Sequence, residues 1–273
     1  MKALFMGRKP AASAALRHLI DVGVDVVAVV APLHPSESST ATFWRPLVRD
    51  TAQELGIPVT DDRAIYDALA SRGGVLPSGQ RIDDLDLVLS FLFWKKIEKP
   101  LIAVPRLGCF NFHPAPLPEF RGRRGYNFAI LEQHAEYGAS VHWVSERFDE
   151  GDLVEVRRFP IAPHETAFSL EQRTMPVLFE MFTDFIARVK SGLPIERRPQ
   201  GQGQSATLEQ MRAAMRIDVS ESPEAIERRV RAFWYPPHHG AYLEIGGKRF
   251  TLVDDETLNL LGRFLHNSRE KPY

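Results

Sequence analysis

The chain has 273 residues, 44% of them hydrophobic and 25% charged, with 34 Lys and Arg against 35 Asp and Glu. That length can bury a full core and predicts one large domain with a small appendage. The balanced charge provides no global field for holding a polyanion, so a nucleic-acid partner is disfavoured, although local basic patches can still act within a neutral protein.

No run approaches the ~18 apolar residues of a membrane span, and Arg8-Lys9-Pro10 follows the apolar N-terminus too soon for a secretory signal. A soluble, cytoplasmic protein with no membrane partner is expected. The lone cysteine, Cys109, cannot form an internal disulfide and reads as a small buried hydrophobe, which suits a reducing cytosol.

Residues 3–7 read as a short buried strand. After Pro10, Leu16, Leu19 and Ile20 recur at helical spacing before Gly23, a residue suited to the position just past a helix end. Residues 25–30 form a continuous apolar strand, as a parallel sheet covered on both faces requires. No G-x-G-x-x-G follows Gly7, so the dinucleotide cradle of a nicotinamide enzyme is missing. Residues 34–40 read as a polar loop without the glycine and lysine of a phosphate cradle.

The alternation continues with a helix over 43–55, a strand over 57–60, a helix over 64–70, a strand over 85–93 and another through Asn111. This pattern implies an α/β, Rossmann-like open, mostly parallel sheet with helices on both faces. Its ligands belong beyond the carboxyl ends of the strands, where Ser90 to Trp94 and Asn111 to His113 lie.

Farther on, Leu170, Val177, Leu178, Met181, Phe182, Phe185, Ile186 and Val189 make one helical stripe, a core face, with Pro176 expected to kink or restart the helix. Residues 196–205 lack periodicity and read as linker. The expected division is a main domain over 1–195, a linker over 196–215 and a small C-terminal helix and β-hairpin unit over 216–273. In that last unit Ser222 caps a helix with Pro223 at its first position, and Gly246-Gly247 joins two strands. His238-His239 lacks metal-ligand spacing, and no metal is expected.

The most informative segments are Gly108-Cys109-Phe110-Asn111-Phe112-His113-Pro114 and Phe148-Asp149-Glu150-Gly151-Asp152. Successive strand residues point to opposite faces, so Asn111 and His113 project from one face just where Pro114 ends the strand. Singly, Asn111 is a turn cap, His113 a satisfied core histidine and Asp149 a loop acid. Together, in this order, they allow an amide, an imidazole and a carboxylate to meet.

The setting extends the pattern: His113-Pro114-Ala115-Pro116-Leu117-Pro118-Glu119-Phe120-Arg121-Gly122, Tyr126-Asn127-Phe128-Ala129-Ile130-Leu131, Tyr137-Gly138-Ala139-Ser140-Val141-His142 and Asp149-Glu150-Gly151-Asp152-Leu153. These segments resemble the core signature of the 10-formyltetrahydrofolate-dependent formyltransferases, over residues 1–190. The wording from His113 to Gly122 is more similar to the branch that formylates amino sugars on nucleotide carriers than to the methionyl-tRNA branch.

The resemblance implies that residues 1–195 are catalytic and that Asn111, His113 and Asp149 are the catalytic trio. Asn111 would donate to the charge developing on the formyl oxygen, His113 would take the amine's proton, and Asp149 would fix the imidazole's tautomer and stabilise its protonated form. The formyl donor would be 10-formyltetrahydrofolate, lying along Ser90, Phe91, Leu92, Phe93 and Trp94 largely through backbone groups, and against the loop that carries Asp149 and Asp152. Arg121, Arg123 and Arg124, beside Tyr126 and Asn127, could meet the acceptor's pyrophosphate, or form a solvated basic turn. His142 reads as structural.

The implied acceptor is a nucleotide-linked 4-amino-4,6-dideoxyhexose, in lipopolysaccharide O-antigen biosynthesis, with room for a homodimer. Residues 231–249 also resemble the opening of the methionyl-tRNA formyltransferase C-terminal domain, but few residues remain for its tRNA-binding barrel. The alternatives are methionyl-tRNA or another small amine as acceptor, or an inactive folate-binding relative.

Overall fold

The computed structural model describes residues 1–32, 46–71, 74–76, 78–255 and 258–259, so the loop expected over 34–40 and the start of the helix expected from 43 lie outside the described residues. In chain order come β1 (Lys2–Gly7), α1 (Pro10–Asp21), β2 (Asp25–Val30), α2 (Val48–Glu54), β3 (Val59–Thr60), α3 (Asp62–Ala70), β4 (Leu87–Phe91), α4 (Lys99–Ile102) and β5 (Gly108–His113). Then follow β6 (Arg121–Gly122), α5 (Tyr126–Leu131), β7 (Glu136–Trp143), β8 (Leu153–Pro160), α6 (Ala167–Lys190), β9 (Ser205–Ala206), α7 (Leu208–Met215), α8 (Pro223–Phe233), β10 (Tyr242–Ile245) and β11 (Lys248–Thr251).

The chain forms two compact units. The first comprises 1–122, 138–158 and 174–204, and the second 123–137, 159–173 and 205–273. The units therefore differ from a division at residue 195, because α5 and the segment over 159–173 group with the C-terminal elements.

In the first unit seven strands form one sheet in the order β3-β2-β1-β4-β5-β7-β8. The pairings β1–β2, β1–β4, β2–β3 and β4–β5 are parallel, and β5–β7 is antiparallel. This is the α/β, Rossmann-like architecture expected from the sequence. Alternate strand residues feed two buried clusters: Phe5, Phe91, Phe110 and Phe112, with Phe182 of α6, in one, and Leu4, Met6, Val88 and Cys109 in the other. Within β5 the alternation puts Phe110 and Phe112 against α6, while Asn111 and His113 share the opposite side with Cys109. The Phe112 ring lies 4.8 Å from Phe182 and 5.5 Å from Phe185, centroid to centroid, so truncation to alanine should cost about 3–5 kcal/mol. The strand that presents Asn111 and His113 is thereby anchored from behind.

α6 runs unbroken through Pro176 and does not restart. Its stripe of Leu178, Met181, Phe182, Phe185 and Ile186 is buried, and that packing outweighs the roughly 3 kcal/mol an interior proline costs. The region read as linker is also structured. Leu153 and Arg198 exchange backbone hydrogen bonds of 2.7 and 2.9 Å, and Thr207 and Gln210 form a reciprocal capping box that starts α7.

In the second unit α5 packs on α8, and Asn127 Nδ2 donates to Ala232 O at 2.7 Å. Tyr126 and Tyr137 pack ring on ring at 5.2 Å, and the Tyr235 hydroxyl donates to the buried Glu171 carboxylate. Ser222 caps α8 through Ala225 N at 3.3 Å. Gly246 and Gly247 adopt φ +57 and +75, the left-handed pair that a two-residue hairpin of this hand needs.

Candidate active site

Three neighbouring strands bring Ser90, Asn111 and His142 into one row: Asn111 registers against Ser90 of β4 on one side and His142 of β7 on the other. Ser90 Oγ donates to Asn111 Oδ1 at 2.7 Å, which orients the amide with its donor end toward His142 Nε2 at 3.0 Å and Asp149 Oδ1 at 3.4 Å. Since a carbonyl only accepts, His142 donates Nδ1–H to Trp143 O at 2.8 Å and keeps an Nε2 lone pair for Asn111. The same logic assigns His113: Nε2–H donates to Phe120 O at 2.9 Å, leaving Nδ1 3.7 Å from Asp149 Oδ2.

Asp149 sits in the loop after β7 with φ +56, a conformation that Asp tolerates better than most side chains. Gly151 follows because a Cβ there would lie 1.7 Å from Trp143 O. The Asp149 side chain is 3% exposed, and Gly122 N donates to its Oδ2 at 3.0 Å. Burial pushes this carboxyl upward, but the charges that His113 and His142 carry when protonated, the hydrogen bond His142 then donates and the Gly122 amide outweigh it and hold the carboxyl down at about 2. Asp149 is therefore ionised at neutral pH. Behind it, Ser140 Oγ accepts from Leu117 N at 2.9 Å and donates to Ala115 O at 2.8 Å, fixing the loop that leaves His113.

A shallow open cleft, about 340 Å³ of empty space when the solvent at its mouth is included, lies on this row. Its floor holds Ser90, Asn111, His142 and Asp149, its apolar walls are Phe93, Ile97, Val144 and Phe148, and Lys95, Lys96 and Arg147 are its exposed cations. Phe148 is itself exposed beside Asp149. His113 is not part of this lining, and its Nδ1 lies 3.7 Å from Asp149 Oδ2. Cys109 is buried on the same strand, and burial pushes its thiol far above the usual range, so it stays protonated.

The expected trio thus lies close together. His142, read as structural from sequence, joins it, and its signal was its place two residues from Ser140 on the strand that runs into the Asp149 loop. Of the expected donor-binding residues, Ser90 and Phe93 line the cleft. Phe91 faces the α6 core against Phe112 and Phe182, Leu92 packs toward that core at φ +60, Trp94 lies under Arg8 and Lys95, and Asp152 accepts from Arg197 Nε at 2.7 Å.

The expected acceptor-binding group does not line the cleft. Arg121 donates to Gln200 and Gly201, Arg124 pairs with Glu132, the Tyr126 phenol oxygen is buried within the second unit, Asn127 holds Ala232, and Arg123 is exposed. The arginine fork and side-chain amide are spent on local backbone and carboxylate partners. Among the described residues no group of three or more His, Cys, Asp or Glu side chains is arranged to hold a metal ion, and no helix is long and apolar enough to cross a membrane.

Residues 80–184 match the formyl transferase family, a span that contains Ser90, Asn111, His113, His142 and Asp149. The chain is 28% identical over 250 residues, 91% of its length and 78% of the relative's, to a methionyl-tRNA formyltransferase of Geobacter metallireducens. It is 29% identical over 247 residues to the one from Myxococcus xanthus, covering 90% of this chain and 76% of that protein. Among solved structures, a 4-N formyltransferase from Francisella tularensis shares the fold with a TM-score of 0.73 at 18% identity, covering 93% of this chain and 96% of that one. An N-formyltransferase from Helicobacter canadensis, solved with folinic acid and dTDP-3-aminofucose, aligns with a TM-score of 0.68 at 18% identity over 91% of this chain and 86% of its own. The chain is thus similar to formyltransferases, by the family match over residues 80–184 and by relatives that align over most of its length.

Proposed function

We propose that this protein transfers the formyl group of 10-formyltetrahydrofolate to the amine of a nucleotide-linked amino sugar, a 4-amino-4,6-dideoxyhexose. The observation that carries the reading is the oriented Ser90–Asn111–His142 row meeting the ionised Asp149 at the floor of a cleft. The cleft suits the donor. Phe93, Ile97, Val144 and Phe148 offer apolar walls to a flat heterocycle, the floor is polar, and exposed Lys96 and Arg147 suit an acidic tail.

The donor supplies an activated carbonyl at the formyl level of oxidation. Asn111 Nδ2 holds one N–H on His142 at 3.0 Å and the other only loosely, at 3.4 Å from Asp149, so the second is free to turn to the formyl oxygen. His113 Nδ1 takes the proton that the amine loses as its nitrogen bonds to the formyl carbon, and gives it to the departing folate nitrogen. Asp149, 3.7 Å away, offsets the imidazolium charge during that exchange. The trio needs no metal for these roles.

The sugar acceptor is supported by the wording from His113 to Gly122 and by the fold shared with the two N-formyltransferases above. A second reading, methionyl-tRNA as acceptor, is favoured by the curated relatives at 28% and 29% identity. Purified protein assayed with labelled 10-formyltetrahydrofolate against a panel of nucleotide-linked amino sugars and charged initiator tRNA tests both, and absence of transfer to every sugar would sink the first.

A further inference from the structure

We infer that Gln200 is a positioning residue for this site, holding the Asp149 turn through both ends of its amide; the inference rests on the trio's proposed roles. Gln200 lies in the stretch whose sequence reads as linker. Its Oε1 accepts from Arg121 Nε at 3.3 Å and Nη2 at 2.9 Å, while Nε2 donates to Asp149 O at 3.1 Å and to Gly151 O. A single half-buried side chain therefore ties Arg121 to the turn over 149–151.

The neighbouring residues make this a fixed strap. Arg121 is 13% exposed and donates a further bond to Gly201 O at 3.0 Å, and its own amide donates to Gln204 O at 2.9 Å. A Cβ on Gly203 would lie 2.2 Å from Pro118 O, so the strap lies flush against the loop that follows His113.

Asp149 holds a left-handed backbone, which persists in a non-glycine residue only when its surroundings over-determine it. Gln200 grips that turn at the carbonyls of Asp149 and Gly151, and Arg121 precedes Gly122, whose amide grips the carboxylate at 3.0 Å. The carboxylate between His113 and His142 is thereby fixed from its backbone and from its side chain. Loss of the strap frees the turn to rotate and draws the carboxylate away from both imidazoles.

The two halves of the amide can be tested separately. Gln200→Glu keeps an acceptor for Arg121 but sets an oxygen against two carbonyl oxygens, whereas Gln200→Ala removes both functions. With the full-length protein and the acceptor that the wild type turns over, both variants should lower kcat about 10- to 100-fold, with the KM for 10-formyltetrahydrofolate within about threefold and thermal unfolding cooperative. Glutamate should be no better than alanine. A readout independent of activity is a double-mutant cycle on urea unfolding, in which the effect of Asp149→Asn shrinks in the Gln200→Ala background. Near wild-type kcat for Gln200→Glu, or strict additivity of the two substitutions in the cycle, would overturn the inference. If the wild type formylates none of the offered amines, the acceptor assignment fails and the cycle still decides the role of Gln200.

Discussion

His142 Nε2 lies 3.0 Å from Asn111 Nδ2, directly across the antiparallel pairing of β5 with β7. With Ser90 holding the amide oxygen from the other side, Asn111 has one orientation and one loosely held N–H to offer. Removing the imidazole in His142→Ala leaves the amide free to turn, and a lost buried hydrogen bond of this kind is worth roughly 1–3 kcal/mol. The turnover number should fall about tenfold or more. His142→Gln, whose side-chain oxygen can still accept, should retain more of it. Steady-state kinetics of the two variants check this, and equal activities would show that the acceptor at this position is irrelevant.

His113→Asn and Asp149→Asn should each reduce kcat by about 10²-fold or more while the protein stays folded, because the first removes the proton acceptor and the second its counter-charge. Asn111→Ala should cost about 10²–10³ in kcat, the usual effect of losing one donor to developing charge, with little change in KM. Retention of more than about a tenth of wild-type activity by both His113→Asn and Asp149→Asn is incompatible with the assigned roles.

The acid behaviour of Asp149 has a definite sign. Its carboxyl is held at about 2 in the folded protein against an ordinary 3.8, so its stabilisation is fully present above about pH 4 and is lost as pH falls through about 2. The shift corresponds to roughly 2 kcal/mol. Urea unfolding of wild type and Asp149→Asn between pH 5 and 2 should show their difference in stability narrowing by that order. A difference constant with pH would mean the carboxyl is not held down.

Much of this was legible in the chain because it depends on short-range pattern. The period-two alternation around Phe110, Asn111, Phe112 and His113 places the polar pair opposite the aromatic pair whatever the rest of the fold does. The Gly246-Gly247 turn is equally local. His142 escaped because its role comes from register: only the β5–β7 pairing sets it against Asn111, and antiparallel register is a long-range property. Gln200 escaped for a similar reason, since its partners lie 79 and 51 residues away in sequence. Arg124 and Asn127, read as acceptor contacts or a solvated turn, engage Glu132 and Ala232, partners that a polar run in the sequence does not announce.

Lys96 is exposed at the cleft and has no ion pair among the described residues, and Arg147 is 82% exposed beside it in the lining. Folate donors carry a carboxylate tail that lengthens with each γ-linked glutamate. Lys96→Glu with Arg147→Glu should therefore raise the KM for a triglutamyl donor several-fold more than for the monoglutamyl donor, leaving kcat within about twofold, as suits exposed charges worth up to about 1 kcal/mol each. Identical KM ratios for the two donors would place the tail elsewhere.

The central claim is the identity of the amine. Labelled 10-formyltetrahydrofolate supplied together with charged initiator tRNA and a dTDP- or GDP-linked 4-amino sugar, at low and moderate salt, lets the acceptors compete in one tube. A near-neutral protein that acts on a small nucleotide sugar should place the label on the sugar at both salt concentrations, since it lacks the many phosphate contacts that make polyanion binding steeply salt-dependent. Label on methionyl-tRNA at equal or greater efficiency, falling steeply as salt rises, would contradict the sugar assignment and establish the tRNA reading.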